Sequence, residues 1–226
     1  IQVQWKNLQL ATKTSGSEYG ETALSVEDKL KEMFPAIKPD SKPCVVWICD
    51  ISDEKSLKAL DGKIFKNENI GMGLTRFNCF RVNVLEMPDG DLKDKYMRAL
   101  PAFEFYDPAA KLVTRAAGKR AGSLSGFSKN LAKAWSATFT LSQKAYEKGM
   151  KAVLDGLDKY EVKKQVVDKK KERLEKKPNP GMKRKLDQEQ AVLDELRTKI
   201  EEQEKKLIAS CTLKPEFLPE GENDPR

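Results

Sequence analysis

The feature that most restricts the fold of this chain is a 4-3 spacing of apolar residues in its last third. Between Lys144 and Lys177, single apolar residues stand among lysines and acids at Tyr146, Met150, Val153, Leu157, Tyr160, Val167 and Leu174. The repeat returns after "KPNPG" (177–181), at Leu186, Leu193, Leu196, Ile200 and Leu207. This spacing predicts helices that pack against each other in a coiled coil. Because two prolines and a glycine break the helix, we expect a long antiparallel α-helical coiled-coil hairpin over residues 141–211, with its turn near 177–182.

The seam of the predicted hairpin is incomplete. Lys164 and Lys171 take two positions of the first repeat, and Glu189 and Gln203 take two of the second. Polar residues at seam positions reduce the stability of a coiled coil. We therefore expect the hairpin to be stabilised by packing against the preceding domain or against another chain.

Charge is unevenly distributed along the hairpin. Residues 159–185 contain twelve basic and four acidic residues, whereas residues 187–204 contain seven acidic and two basic residues. The sequence thus predicts a basic tip formed by Lys169, Lys170, Lys171, Arg173, Lys176, Lys177, Lys183, Arg184 and Lys185. Such a patch is either a solvated helix surface or a docking surface for an acidic protein, lipid or polysaccharide. Nucleic acid is disfavoured as a partner, because no aromatic residues interleave with the basic ones.

The chain before the hairpin alternates strand and helix signals. "CVVWIC" (44–49) is a continuous apolar run, typical of a strand buried on both faces. Helical spacing follows up to about residue 67, strand-like residues return at 79–87, and "LKDKYMRAL" (92–100) has the pattern of a short helix.

The end of this region has the pattern of a β-hairpin followed by a helix. Phe103 and Phe105 alternate with polar neighbours, Asp107-Pro108 marks a turn, and Leu112 begins a second strand. A closing helix carries Phe127, Leu131 and Trp135 at a spacing of four. The order βαβαββα predicts an α/β domain over residues 40–140, with a central mixed sheet flanked by helices.

The two flanking segments carry weaker signals. Residues 1–39 are expected to form an N-terminal extension with one helix in "ALSVEDKLKEMF" (23–34), beginning near Ser25 and ended by Pro35 and Pro39. The proline-rich residues 212–226 predict an extended or disordered tail.

Several kinds of site chemistry have no candidate residues. The chain has no histidine and its four cysteines form no Cys-x-x-Cys pair, so we expect no metal site, no cofactor and no catalytic residue. Cys44, Cys49 and Cys79 lie in strand-like sequence and are predicted to be buried, whereas Cys211 is the more exposed thiol. No run of 18 apolar residues occurs, which excludes a transmembrane segment of that kind.

Four segments together resemble the thioredoxin fold, and within it the bacterial branch related to thiol:disulfide interchange domains. "KPCVVWICDISDEKS" (42–56) resembles the strand, loop and helix that hold the reactive cysteines, and "KIFKNENIGMGLTRFNCFRVNV" (63–84) resembles the helices and strand that follow. "ALPAFEFYDPAAKLV" (99–113) is similar to the cis-proline segment and hairpin, and "AAGKRAGSLSGFSKNLAKA" (116–134) to the closing turn and helix. The resemblance implies a thioredoxin-like domain.

The resemblance also assigns positions to the site. It places Asp53 and Ser56 where the family has its two cysteines, and Pro101 at the cis-proline, so that Leu100 and Pro101 would border a peptide groove. Disulfide exchange requires one thiolate to attack and a second thiol to resolve the intermediate, which a carboxylate and a hydroxyl cannot do.

Three hypotheses follow. The first is a redox-inactive thioredoxin-like interaction or structural protein, a subunit or accessory of a larger homo- or hetero-oligomeric assembly. The second is a thiol oxidoreductase or peroxidase-like enzyme that uses a single cysteine. The third is a protein that binds an anionic surface through the basic tip. Because the sequence begins at Ile1 rather than at methionine, we also expect either a fragment or an exported protein whose leader has been removed, and we favour export to the periplasm or the extracellular space.

Overall fold

The structure is a computed structural model that describes residues 2–12, 22–38 and 40–218. The chain divides into two compact units. We call the described residues up to Gln143, together with those from Leu213 onwards, the sheet unit, and residues 144–212 the helical unit. An α/β class with a mixed sheet and long C-terminal helices, as the sequence predicts, is confirmed.

A five-stranded mixed sheet forms the centre of the sheet unit. Its strands, in chain order, are β1 (Lys6–Asn7), β4 (Cys44–Cys49), β5 (Asn78–Asn83), β6 (Ala102–Tyr106) and β7 (Leu112–Ala117). Their order across the sheet is β1-β5-β4-β6-β7; β5 is parallel to both β1 and β4, and β6 is antiparallel to both β4 and β7. Two short strands, β2 (Ala11–Thr12) and β3 (Thr22–Ala23), pair separately. All six residues of β4 are buried, as a central strand covered on both faces requires.

The helices of the sheet unit are α1 (Val26–Met33), α2 (Glu54–Leu60), α3 (Glu68–Leu74), α4 (Asp91–Met97) and α5 (Leu124–Thr138). Four of them begin at a side chain that accepts a backbone N–H, whereas α4 follows Gly90 and has no side-chain cap. The Ser25 side chain accepts a hydrogen bond from the Asp28 backbone N–H, which is the helix start that their spacing predicts. Pro35 follows the end of α1, whereas Pro39 lies outside the described residues.

Two element boundaries differ from the sequence prediction. After α2, residues 61–65 form a wider π-helical turn, in which the N–H of Lys66 donates to the carbonyl of Asp61 over 3.0 Å. The widened turn carries two adjacent apolar residues, Ile64 and Phe65, and both are buried. The strand expected over 79–87 ends at Asn83, because the Asn83 side chain accepts the N–H of Leu85 and starts a 3₁₀ turn.

The N-terminal segment belongs to the central sheet. The Trp5 ring lies 5.4 Å from the Trp47 ring and 5.0 Å from the Phe65 ring, measured between centroids. The strand β1 that follows extends the sheet at the side of β5, and Leu8 is buried in the core. Residues 1–39 are therefore more than an extension with one helix, although residues 13–21 lie outside the described part.

Two long helices form the helical unit. Helix α6 (Gln143–Lys176) and helix α7 (Pro180–Ser210) are separated at residues 177–179, and the Asn179 side chain caps α7 by accepting the N–H groups of Gly181 and Met182. Each helix would be about 50 Å long. The helices run antiparallel, since Gly149 lies against Leu207 and Lys170 pairs with Glu189. Their buried side chains are Tyr146, Met150, Val153, Tyr160, Val167, Leu186, Leu193 and Ile200.

Two predictions about the C-terminal segment need correction. Cys211 was expected to be exposed as part of a tail but is buried; it belongs to the ordered end of α7, where its N–H donates to the carbonyl of Ile208. The expected extended or disordered tail begins with ordered residues: Leu213 is buried and pairs with Phe139, and Pro215–Phe217 form a 3₁₀ turn. Residues 219–226 lie outside the described part. Among the helices that the structure describes, none is long and apolar enough to cross a membrane.

Candidate functional site

The candidate site lies at the end of the sheet where β4 and β5 finish and β6 begins. Ile48 near the end of β4 is opposite Ala102, the first residue of β6, and Ala102 is opposite Ala117, the last residue of β7. The loop after Cys49 and the Leu100–Pro101 segment therefore reach the same edge of the sheet. We call this region, residues 50–56 with Leu100, Pro101 and Gly118, the carboxyl edge.

Asp53 and Ser56 are joined as a helix cap. The Ser56 backbone N–H donates to Asp53 Oδ1 over 3.1 Å, and the Ser56 hydroxyl donates to Asp53 Oδ2 over 2.5 Å. The hydrogen bond from the Ser56 hydroxyl lowers the pKa of the Asp53 carboxyl the most, and the bond from the Ser56 backbone N–H lowers it further. A carboxylate with a lowered pKa is a weak base, so Asp53 is poorly suited to activate the Ser56 hydroxyl as a nucleophile. The pair starts α2 instead.

The polar groups of the preceding loop are also satisfied. The backbone N–H and the hydroxyl of Ser52 both donate to Asp50 Oδ1, over 2.8 Å and 2.6 Å. The Ile51 N–H donates to Asn83 Oδ1 over 3.4 Å, which ties the loop to the end of β5. These bonds join the Asp50 and Ser52 side chains to each other and hold the loop against the end of β5.

At Leu100 both backbone groups, the N–H and the carbonyl, are unpaired among the described residues. The Leu100–Pro101 peptide bond is cis. On either side of it, the carbonyls of Ala99 and Pro101 accept the N–H of Gly118, over 3.0 Å and 2.9 Å, at a glycine with a φ of 58°. Within the described part of the chain, the N–H and carbonyl of Leu100 form no hydrogen bond. Such groups need a partner, either water or another chain.

The three cysteines of the sheet are buried and their thiols are poorly reactive. Cys44, Cys49 and Cys79 are free thiols in β4 and β5. Burial raises the pKa of each thiol from an ordinary value of 9.0 to about 12. The reactive thiolate form is therefore scarce near neutral pH in all three.

The residues of the basic tip differ in exposure and in ion pairing. Lys170 is half-buried and donates to both carboxylate oxygens of Glu189, over 2.6 Å and 2.7 Å, so it belongs to a contact between α6 and α7. The other eight are exposed and form no ion pair with any described residue. The tip is thus a smaller cationic surface than the sequence suggests.

A buried polar cluster around Glu104 is not apparent from the sequence, because Glu104 has the position of an outward residue in an alternating strand. Glu104 is 4% exposed and accepts hydrogen bonds from the hydroxyls of Tyr106, over 2.6 Å, and Tyr96, over 3.1 Å. Arg115 Nε lies 3.3 Å from Glu104 Oε1, and its guanidinium stands over the Tyr96 ring. Burial, followed by the Glu104 charge, raises the pKa of both tyrosines.

This Glu104 cluster fastens α4 and β7 to the central strand β6 and has no open access that would suggest catalysis. The signal that could have revealed it is the position of β6 in the sheet: a strand between two others, with a helix on each face, buries both sets of side chains. Among the described residues, no group of histidine, cysteine or acidic side chains is arranged to hold a metal ion.

Comparison with known proteins adds no assignment: no family model matches the chain, and no curated protein is significantly similar to it.

Proposed function

We propose that this chain is a thioredoxin-like protein without redox activity, which binds other proteins and serves as a subunit or accessory of a larger assembly. The observation that carries the proposal is the contrast at the carboxyl edge. Asp53 and Ser56 are occupied with each other as a helix cap, while the backbone of Leu100 is left for a partner. The edge retains a means of binding a chain and lacks a means of exchanging disulfides.

The sheet supports the thioredoxin-like assignment. Strands β1, β5 and β4 are parallel, an antiparallel hairpin of β6 and β7 follows, and α2 begins directly after the loop that leaves β4. This agrees with the order that the resemblance implies. The antiparallel α6 and α7, with their buried 4-3 residues, support the coiled-coil hairpin as a second contact surface.

A peptide would bind by pairing its backbone with Leu100. An extended chain can add to an exposed backbone segment through main-chain hydrogen bonds, and neighbouring side chains then select its sequence. Met97 ends α4, three residues before Leu100, and is 44% exposed. It would supply an apolar contact near the paired backbone.

The cysteine-dependent enzyme is the weaker alternative. A single-cysteine oxidoreductase needs an accessible thiol with a lowered pKa. The pKa values of Cys44, Cys49 and Cys79 are shifted the opposite way by burial, and Cys211 is also buried.

The proposal is tested by following the Leu100 amide in a nuclear magnetic resonance titration with an extended peptide that contains no thiol, carboxymethylated insulin B chain. We expect the Leu100 N–H to shift and to exchange more slowly with solvent, while that of Gly118, already bonded, changes little.

Two variants of Leu100 form a matched pair for this titration. Leu100→Pro removes the N–H and should abolish binding, whereas Leu100→Ala keeps both backbone groups and should bind within about threefold of wild type. A peptide that binds elsewhere, or a Leu100→Pro variant with full affinity and a native spectrum, would remove the proposal.

The anionic-surface hypothesis stays a second candidate because of the eight exposed, unpaired cations at the basic tip. Binding of that kind weakens steeply as salt rises. Charge reversal of Lys169, Lys171, Lys176 and Lys177 should abolish binding to vesicles rich in phosphatidylserine, and unchanged binding would exclude the candidate.

A further inference from the structure

An apolar groove runs along the helical unit beside the basic tip, and it was not foreseen from the 4-3 repeat. It is about 610 Å³ in volume, and its floor is formed by Val162, Val166, Val167, Val192 and Leu193. Three of these lie outside the buried seam: Val162 is 64% exposed, Val192 56% and Val166 49%. We call this feature the valine groove. Valines on both helices that converge on one groove form a continuous apolar surface, which scattered exposed residues would not.

The rims of the valine groove are positively charged. Lys163 on α6 and Lys185 on α7 line it and form no ion pair with any described residue. Lys170 and Glu189 also line it but neutralise each other. The groove therefore presents an apolar floor between two unpaired cations, and the cations of the basic tip continue from its end.

We propose that the valine groove docks an amphipathic α-helix of a partner protein whose apolar stripe is flanked by carboxylates. The groove is lined from residues 162–170 and 185–193, which corresponds to about 13 Å along each helix, or two to three turns of a third helix. Apolar side chains at i, i+3, i+4 and i+7 would cover the valines. Acidic residues on either side of that stripe would meet Lys163 and Lys185.

Two other occupants fit less well. A second copy of the chain, related by a two-fold axis through the groove, would bring the same surface against itself and would place lysines against lysines. An extended strand would find no unpaired backbone, because the groove lies in the interior of two regular helices. The inference deepens the proposed function, since it gives the second contact surface a partner of stated chemistry.

The test uses the full chain and three fluorescent synthetic peptides. The probe is an amphipathic helix with a leucine stripe flanked by glutamates; one control has lysines in place of the glutamates, and the other keeps the glutamates but has serines in the stripe. We expect fluorescence anisotropy to show that the probe binds at least about tenfold more tightly than either control.

Charge and floor variants locate the binding. The double variant Lys163→Glu with Lys185→Glu should lose about tenfold in affinity, whereas Lys151→Glu with Lys205→Glu, which changes net charge equally outside the groove, should not. Val162→Ser with Val192→Ser should also lose about tenfold, and Ile208→Ser, at an exposed residue elsewhere on α7, should lose little. All of these positions are exposed, so circular dichroism should report unchanged helix content.

Three results would overturn the inference. Equal losses in the two lysine pairs would mean a general attraction without a groove. Sedimentation that shows a wild-type dimer, reduced to monomer by Val166→Glu, would assign the groove to a second copy. Binding to anionic phospholipid vesicles that the valine variant abolishes would assign it to a lipid surface. None of these results concerns Leu100. The peptide titration at the carboxyl edge therefore tests the proposed function independently of the valine groove.

Discussion

The sheet unit and the helical unit use their apolar residues differently. In the sheet unit, the rings of Trp47, Phe65, Phe103 and Phe127 contact one another in one buried cluster, and the carboxyl edge offers a partner unpaired backbone at Leu100. In the helical unit the seam is narrow, and valines beside it stay exposed. A strand that is covered on both faces buries almost every side chain, whereas a pair of helices covers only one side of each. Contact with partners should thus depend on main chain in one unit and on side chains in the other.

The largest difference should appear when one apolar side chain is removed from each unit. Phe103→Ala leaves a cavity among Trp47, Phe65 and Phe127 and should cost about 4 kcal/mol of unfolding free energy. Val166→Ala, at a half-exposed valine, should cost less than about 0.5 kcal/mol. Urea unfolding of Phe103→Ala is followed by tryptophan fluorescence, since Trp5, Trp47 and Trp135 all belong to the sheet unit. Unfolding of Val166→Ala is followed by far-ultraviolet circular dichroism, which reports the long helices α6 and α7. Similar losses in the two variants would contradict the contrast.

The next effect concerns the buried Glu104 cluster. Glu104→Ala leaves Arg115 without its ion-pair partner and two tyrosine hydroxyls without their acceptor in the core, which should cost about 3 kcal/mol. Glu104→Gln keeps an oxygen acceptor for the hydroxyls and should cost less. Urea unfolding measures both, and a stability of Glu104→Ala close to wild type would show that the cluster is dispensable.

The buried thiols predict a loss of stability in alkali. Because the folded-state pKa of Cys44, Cys49 and Cys79 is raised from 9.0 to about 12, the unfolded chain loses these protons first. The contribution of each thiol is complete below pH 9 and is lost as pH rises from 9 to 12, at up to about 1.4 kcal/mol per pH unit. Cys79→Ala should make the slope of stability against pH shallower by that amount. A slope unchanged by this variant would mean that Cys79 ionises in the folded protein.

The smallest effect is expected for the ion pair between α6 and α7. Lys170 and Glu189 are each 41% exposed, so Lys170→Met should cost only about 0.5 kcal/mol, far less than loss of the buried carboxylate Glu104. Lys163→Met, at an unpaired lysine, is the control. Thermal unfolding followed by far-ultraviolet circular dichroism compares the two, and a large loss in Lys170→Met alone would mean that this pair is a main support of the helical unit.

What could be predicted from the sequence depended on how local each signal is. The strand at Cys44–Cys49 and the start of α1 at Ser25 depend on neighbouring residues in the sequence, and both predictions are confirmed. The inward position of Glu104 and the place of Trp5 beside Trp47 depend on which strands become neighbours, which no local pattern records. The burial of Cys211 at the end of α7 is likewise not recorded in a local pattern.

The candidate sites follow the same rule. The absence of sulfur at residues 53 and 56 is evident in the sequence, but the hydrogen bonds that turn Asp53 and Ser56 into a cap appear only in the structure. The valine groove lies beside the 4-3 repeat rather than in it. The 4-3 spacing therefore does not include Val162, Val166 and Val192. Unpaired backbone at Leu100 has no sequence signature at all.

The most direct test of the central claim is an insulin-reduction assay on the wild-type chain and on a double variant with Asp53→Cys and Ser56→Cys. Both positions are exposed at the start of α2, so placing two thiols there should create measurable disulfide exchange, while the wild type should not exceed the rate of buffer with dithiothreitol. Wild-type reduction at an enzymatic rate, lost in Cys49→Ser, would contradict the account.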